Sequence, residues 1–300
     1  MQVQAYVTSP SELTTMSYID DAFDRLKSNL EITTTEEDLA VTRHNLIRDH
    51  ISASWKLAGH FLTGSYDRKT KTKKLKDVDI FVVIDPKGPQ GYLANGAGSD
   101  AVMALRKVLA TRWDDLDSDE HVVIISYAGE DVASYEVAPV FPRKGGGYLM
   151  PNGAGWMATD PTKHGELVTA KNKSCDEKFV PFVKMVKGIN REANDIIKPS
   201  FLLEVMGLDL VLEPFGRYRD EIRFFLASAA DRMTEDWPDP AGLGPNVNAG
   251  ITSPERETLA QTVRKWLAVA EDALLLENEG KERAAVEKWR KLFGWRMPLP

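Results

Sequence analysis

Two aspartates stand one residue apart at the head of the run Asp77-Val78-Asp79-Ile80-Phe81-Val82-Val83-Ile84. Side chains alternate along a strand, so both carboxylates share one face and Val78 and Ile80 take the other. Neighbouring carboxylates repel unless something positive lies between them. Two of them on one rigid strand suit a hard divalent cation such as Mg2+. The motif alone reads more readily as an exposed acidic pair on an edge strand. The residues upstream separate the two readings. Gly64 lets the backbone approach a phosphate closely, and the Ser65 hydroxyl with nearby N–H groups can bind its oxygens. A phosphate cradle beside a metal seat is the chemistry these spacings offer.

Further along, Glu136 sits in the alternating segment "ASYEVAPVF", on the side of its strand shared by Ser134 and Ala138, with Tyr135 and Val137 turned toward the core. In "NKSCDEKFVPFVKMVKGIN", Lys184 and Lys187 fall one turn apart on a helix, and Ser200-Phe201 opens the next one. The basic run Arg68, Lys69, Lys71, Lys73, Lys74 and Lys76 is either a solvated loop guarding a strand edge or a local positive field for anionic substrates. His60, His121 and His164 lack the mutual spacing of a zinc site and read as structural, and Cys175 reads as filler.

The pairing of Gly64-Ser65 with Asp77-Val78-Asp79-Ile80, separated by Tyr66–Lys76, resembles the signature of the polymerase-β-like nucleotidyltransferases. That family carries a third carboxylate on a nearby strand. Glu136 matches it, in a segment similar to the Asp-Val-Val-Pro-like stretch of the bacterial second-messenger synthetases, although most members have Asp there. The Lys helix followed by Ser resembles the triphosphate clamp of cyclic GMP-AMP synthase and its bacterial relatives. "GGYLMPNGAGWMATDP" is similar to their hairpin and Thr-Asp-Pro segment. The resemblance, over about residues 40–215, is to the bacterial cGAS/DncV-like nucleotidyltransferases (CD-NTases).

The resemblance implies an α+β fold, with a polymerase-β-like nucleotidyltransferase core of mixed, mostly antiparallel sheet and helices, plus a C-terminal helical domain. It implies two Mg2+ ions, or Mn2+, on Asp77, Asp79 and Glu136. It implies a nucleotide site formed by Gly64, Ser65, Lys184, Lys187 and Ser200, with Phe201 near the donor base. The implied activity joins nucleoside triphosphates, ATP first and GTP second, into a cyclic di- or trinucleotide for antiviral (CBASS-type) signalling. A regulatory protein partner and a downstream effector are implied with it. Two other readings remain open: a nucleotidyltransferase acting on tRNA or RNA 3′ ends, and a catalytically silent nucleotide-binding relative, for which the Glu at 136 is the one support.

The elements that must position these residues follow from periodicity. Apolar steps of three and four predict helices over 11–30, capped by Ser9 or Ser11, and over 35–57, with Leu39, Leu46, Ile47, Ile51 and Trp55 on its buried side. Strands are predicted over 60–63, 78–84, 122–127 and 132–141, a helix over 100–113 and a hairpin over 148–157. After Thr159-Asp160-Pro161 only helices are predicted, over 176–193, 200–213, 217–233, 254–278 and 281–293. Ser253 is the expected cap and Pro254 the first helical residue of the fourth. The Pro-, Gly- and Asn-rich stretch 237–253 reads as a surface loop. The division falls near 165, giving a nucleotidyltransferase core with the N-terminal helices over 1–165 and a helical domain over 166–300.

Composition bounds the partners. The 300 residues carry a net charge of −7, which argues against a protein that coats long nucleic acid. A single cysteine excludes an internal disulfide and fits a reducing compartment. No apolar h-region opens the sequence and no run is long enough to span a membrane, so a soluble cytoplasmic protein with no membrane contact is expected.

Overall fold

The computed structural model describes residues 17–299. Ser17 caps α1 (Tyr18–Leu30), its hydroxyl accepting the Ile19 N–H, and Ile19, Phe23, Leu26 and Leu30 form one buried face. The expected start of this helix, with Ser9, Ser11, Leu13 and Met16, lies outside the described residues. A capping box between Thr33 and Glu36 opens α2 (Thr34–Ser52). The second Glu36 oxygen accepts the Leu75 N–H at 2.7 Å, so the cap also pins the segment that leads into the acidic strand. The helix ends five residues earlier than its periodicity suggests. Ile47 and Ile51 are buried, whereas Leu46 is turned outward, and Trp55 reaches the core only after the chain has left the helix.

The sheet follows. β1 (Leu57–Thr63) runs into the single turn α3 (Gly64–Asp67), and β2 (Asp77–Ile84), α4 (Gly98–Leu109), β3 (Leu116–Ser118), β4 (Val123–Ser126) and β5 (Ser134–Pro142) come next. β6 (Tyr148–Asn152) and β7 (Gly155–Thr159) form the expected hairpin. The strand order is β1-β2-β5-β4-β3, with β6 added to the end of β5. β2 and β5 are parallel and the other pairs antiparallel. The mixed, mostly antiparallel sheet is therefore as expected. Val78, Ile80, Val82 and Ile84 pack with Ile47, Ile51 and the α4 residues Val102 and Leu105 on one side of the sheet. Phe81 and Val83 meet Ala138 and Val140 on the other.

The remainder is helical: α5 (Pro161–Ser174), α6 (Phe179–Glu192), α7 (Phe201–Leu210), α8 (Tyr218–Arg232), α9 (Ser253–Asn278) and α10 (Glu282–Phe293). Periodicity misses α5 because it buries only Pro161, His164 and Val168. Its start is set instead by the Asp160 cap, which accepts the Lys163 N–H at 3.1 Å, with a proline in the first turn. The cap of α9 is Thr252 with Glu255 closing the box, one residue before the expected Ser253. α1 packs into this helical core against α6 and α10, with Phe23 edge-on to Trp289 at 5.3 Å, while α2 belongs to the sheet.

Candidate active site

Antiparallel pairing sets Thr63, the last residue of β1, opposite Asp79 of β2. The next residue, Gly64, takes φ +64°, and a Cβ there would lie 1.9 Å from Asp79 Oδ2. Glycine is required twice over at this point, for its left-handed backbone and for the space that the carboxylate fills. The turn then presents Ser65, whose carbonyl accepts the N–H groups of Thr70 at 2.9 Å and Lys71 at 3.1 Å. These two bonds fold the basic run back beneath the Gly-Ser turn.

The parallel register pairs Asp79 with Glu136 of β5, and alternation adds Asp77. One carboxylate oxygen from each of the three lies within 4.8 Å of the others. Burial first, then repulsion by Asp79 and Asp77, pushes Glu136 up to about 7. Burial raises Asp79 as well, with Asp77 adding to the shift and Lys71 opposing it. Three half-buried oxygen donors so close together are matched to a hard divalent cation, which would satisfy all of them at once. The residues thus fit Mg2+ or Mn2+. Lys71 supplies the one ion pair among the three carboxylates in the described residues, its Nζ 3.0 Å from Asp77 Oδ2.

The facing wall comes from the helical half. Glu204, fully buried on α7, accepts from Arg68 Nε at 2.9 Å and Nη2 at 3.0 Å, and pairs with Lys187 of α6. Arg68 and Lys187 together hold the Glu204 carboxyl far below the ordinary carboxylate range, despite its burial. Burial lowers Lys187, and Glu204 opposes that shift. Two cations share one carboxylate, so the cluster keeps a net positive charge. The Arg68 guanidinium also lies 4.6 Å over the Phe201 ring, whose other neighbour is His164 at 5.0 Å.

A cleft of about 810 Å³ opens between these walls. Gly64, Ser65, Asp77, Asp79, Glu136, Lys187, Ser200 and Phe201 all line it. Lys184 does not. It pairs with Glu31 and lines a second cavity beside His44 and His60. Among the histidines, His60 meets His44 at 3.2 Å and His121 meets the Pro151 carbonyl at 2.7 Å.

Sequence reasoning missed three parts of this site. Arg68 and Lys71 belong to the basic run, yet neither is solvated: Arg68 is buried and Lys71 nearly so. Glu204 had a signal, a charge inside the apolar "SFLLEVM", where an unpaired carboxylate would be costly. The third is the stretch 237–250, a loop as expected, which also lines the cleft. Two of its side chains tie part of its backbone in place. Asp239 accepts the N–H groups of Leu243 at 3.1 Å and Gly244 at 2.8 Å and meets His164 Nε2 at 2.6 Å. Fully buried Asn248 joins the Trp237 N–H and the Glu235 carbonyl.

The model of the Second Messenger Oligonucleotide or Dinucleotide Synthetase (SMODS) domain matches residues 16–172. The cyclic AMP-AMP-AMP synthase of Acinetobacter sp. (strain ATCC 27244 / 9458) is 28% identical, over 91% of this chain and 83% of the relative. The CD-NTase CdnG of Bradyrhizobium diazoefficiens, solved with GTP, superposes with a TM-score of 0.74 at 14% identity, covering 94% of this chain and 97% of that one. CdnC of E. coli MS115-1, solved with ATP, gives 0.68 at 16% identity over 92% and 98%. The same protein has been solved in a HORMA-deltaN complex. The domain match spans more than half of the sequence and contains the Gly-Ser turn and all three carboxylates, and the chain belongs to the Second Messenger Oligonucleotide or Dinucleotide Synthetase family, as a cGAS/DncV-like nucleotidyltransferase.

Proposed function

We propose that the chain links ATP, alone or with GTP, into a cyclic di- or trinucleotide second messenger. The observation that carries the reading is the single cleft in which Asp77, Asp79 and Glu136 face Ser65 and the Arg68–Glu204–Lys187 cluster. Ser65 and its neighbouring N–H groups would receive phosphate oxygens, with Lys187 and Ser200 holding the far end of the triphosphate. Phosphoryl transfer depends chiefly on such positioning and on charge stabilisation. Asp77, Asp79 and Glu136 would hold two Mg2+ ions, which when bound lower the acceptor hydroxyl pKa and neutralise the departing pyrophosphate. Glu136 would bind the ion that lowers the acceptor hydroxyl pKa. Phe201, backed by Arg68, offers a face for the donor base.

ATP as substrate is favoured by the likeness to the Acinetobacter cyclic AMP-AMP-AMP synthase. A nucleotide acceptor is favoured over an RNA end by the net charge of −7 and by the wall that residues 237–250 add to the cleft. A catalytically silent role is disfavoured because Glu136 stands in register with Asp79 despite its longer side chain. A protein regulator of the HORMA kind, a downstream effector, an antiviral role and a cytoplasmic location complete the proposal. Among the described residues no helix is long and apolar enough to cross a membrane. The division near residue 165 into a catalytic core and a helical domain is proposed with it, with α1 packed on the helical side.

The test is mass spectrometry of the products made from the four ribonucleoside triphosphates with Mg2+ or Mn2+. An adenosine-containing cyclic product is expected. Addition of nucleotides to tRNA, together with a salt-sensitive tRNA mobility shift, would replace this reading by the RNA-end one. Binding without turnover, with candidate protein partners supplied, would replace it by the silent one.

A further inference from the structure

Lys71 is placed where the two halves of the proposed site meet. Its Nζ is 3.0 Å from Asp77 Oδ2 and its side chain is 13% exposed. Its backbone is fixed to the other half, since the Ser65 carbonyl accepts both the Thr70 and the Lys71 N–H. Lys69 takes a left-handed φ of 58° to make that reversal. The same ammonium therefore has its root on the Gly-Ser turn and its head on the acidic strand. Lys187, by contrast, is held by fully buried Glu204 and has little freedom to move.

We propose that Lys71 is a positioning cation exchanged between Asp77 and the substrate triphosphate, so that divalent ion and nucleotide bind cooperatively. The argument rests on the reading of the triad as a divalent-cation seat. An ammonium and a divalent cation compete for the same Asp77 carboxylate, and like charges so close together repel. A lysine stem is flexible and its ammonium carries three freely rotating donors, so once displaced it can turn to phosphate oxygens over Ser65. Nucleotide draws Lys71 away and opens Asp77 to the ion. By linkage the ion favours the nucleotide equally. The charge balance agrees: Lys71 is the largest favourable charge acting on Asp79 and also opposes the rise at Glu136.

The experiment measures Mn2+ binding and α,β-methylene-ATP binding separately by calorimetry, on wild type, Lys71→Met and Lys71→Arg, with folding checked by circular dichroism. Lys71→Met should bind Mn2+ alone ~three- to tenfold more tightly, as expected for removal of a partly exposed ion pair. It should bind the ATP analogue in EDTA ~tenfold more weakly through loss of a charge-assisted contact. Lys71→Arg should keep Mn2+ affinity close to wild type. Opposite movement of the two affinities is the signature, because a merely structural residue would weaken both. Unchanged or weaker Mn2+ binding by Lys71→Met, or unchanged analogue binding, overturns the exchange and leaves the metal seat standing. Mn2+ binding that survives Asp77→Asn with Asp79→Asn overturns the seat and the exchange together.

Discussion

A Cβ placed on Gly64 would lie 1.9 Å from Asp79 Oδ2, so the phosphate turn and the metal-seat carboxylate occupy adjoining space with nothing to spare. The close approach follows from the register that sets Thr63 opposite Asp79. Gly64→Ala should push the carboxylate aside and strain a backbone at φ +64°. The expected result is ~10²-fold lower turnover, the scale of a 1 Å misplacement, with a stability loss of ~1–3 kcal/mol. Product yield and the thermal midpoint of the variant check both.

Asp77→Asn combined with Asp79→Asn should abolish product formation while the fold survives. Removing mutually repelling charges should raise the thermal midpoint slightly in EDTA. Undiminished turnover would remove these residues from the chemistry.

Glu136 should give the metal-free protein a distinctive pH dependence. Its folded pKa, about 7, lies above the ordinary value of 4.5. The folded state therefore binds more protons than the unfolded chain between these values, and its stability falls as pH rises through that window. A loss of ~1–3 kcal/mol between pH 4.5 and 7 is expected in EDTA, flattened in Glu136→Gln and reversed by added Mg2+. Thermal melts across that range provide the measurement. Glu136→Gln should also lose most activity, whereas Glu136→Asp should keep a measurable part.

The Glu204 cluster should be a stability element as well as a binding one. Glu204→Gln leaves Arg68 and Lys187 buried with one neutral partner, and loss of a partner from such a cluster costs ~3–5 kcal/mol. Urea denaturation of the variant tests this.

Lys187→Ala should weaken α,β-methylene-ATP binding ~10- to 100-fold, the worth of a charge-assisted phosphate contact. Lys184→Ala should leave it nearly unchanged, because Lys184 pairs with Glu31 outside the cleft. Equal losses in the two variants would contradict the geometry.

The sequence by itself determined what depends on near neighbours. Strand alternation put Asp77 and Asp79 on one face and oriented Glu136, and the Gly-Ser turn was visible as residue types. It also carried the apolar periods of most helices and a charge balance unsuited to long nucleic acid. It failed where an element lacked a period, as in α5, and where a helix end was set by a cap, as at Thr252.

Tertiary structure alone decided the rest. Arg68 and Glu204 are 136 residues apart, and only the packing of the helices against the sheet turns a basic run and a stray carboxylate into one buried cluster. The same packing turned Lys187 into the cleft and Lys184 out of it. Residues 237–250 became a wall because Asp239 and Asn248 fix part of the loop from within, and Asp239 reaches across to His164. Periodicity reports which face of an element is apolar, whereas the partner of a buried charge is fixed by which elements meet, and that is a property of the whole chain.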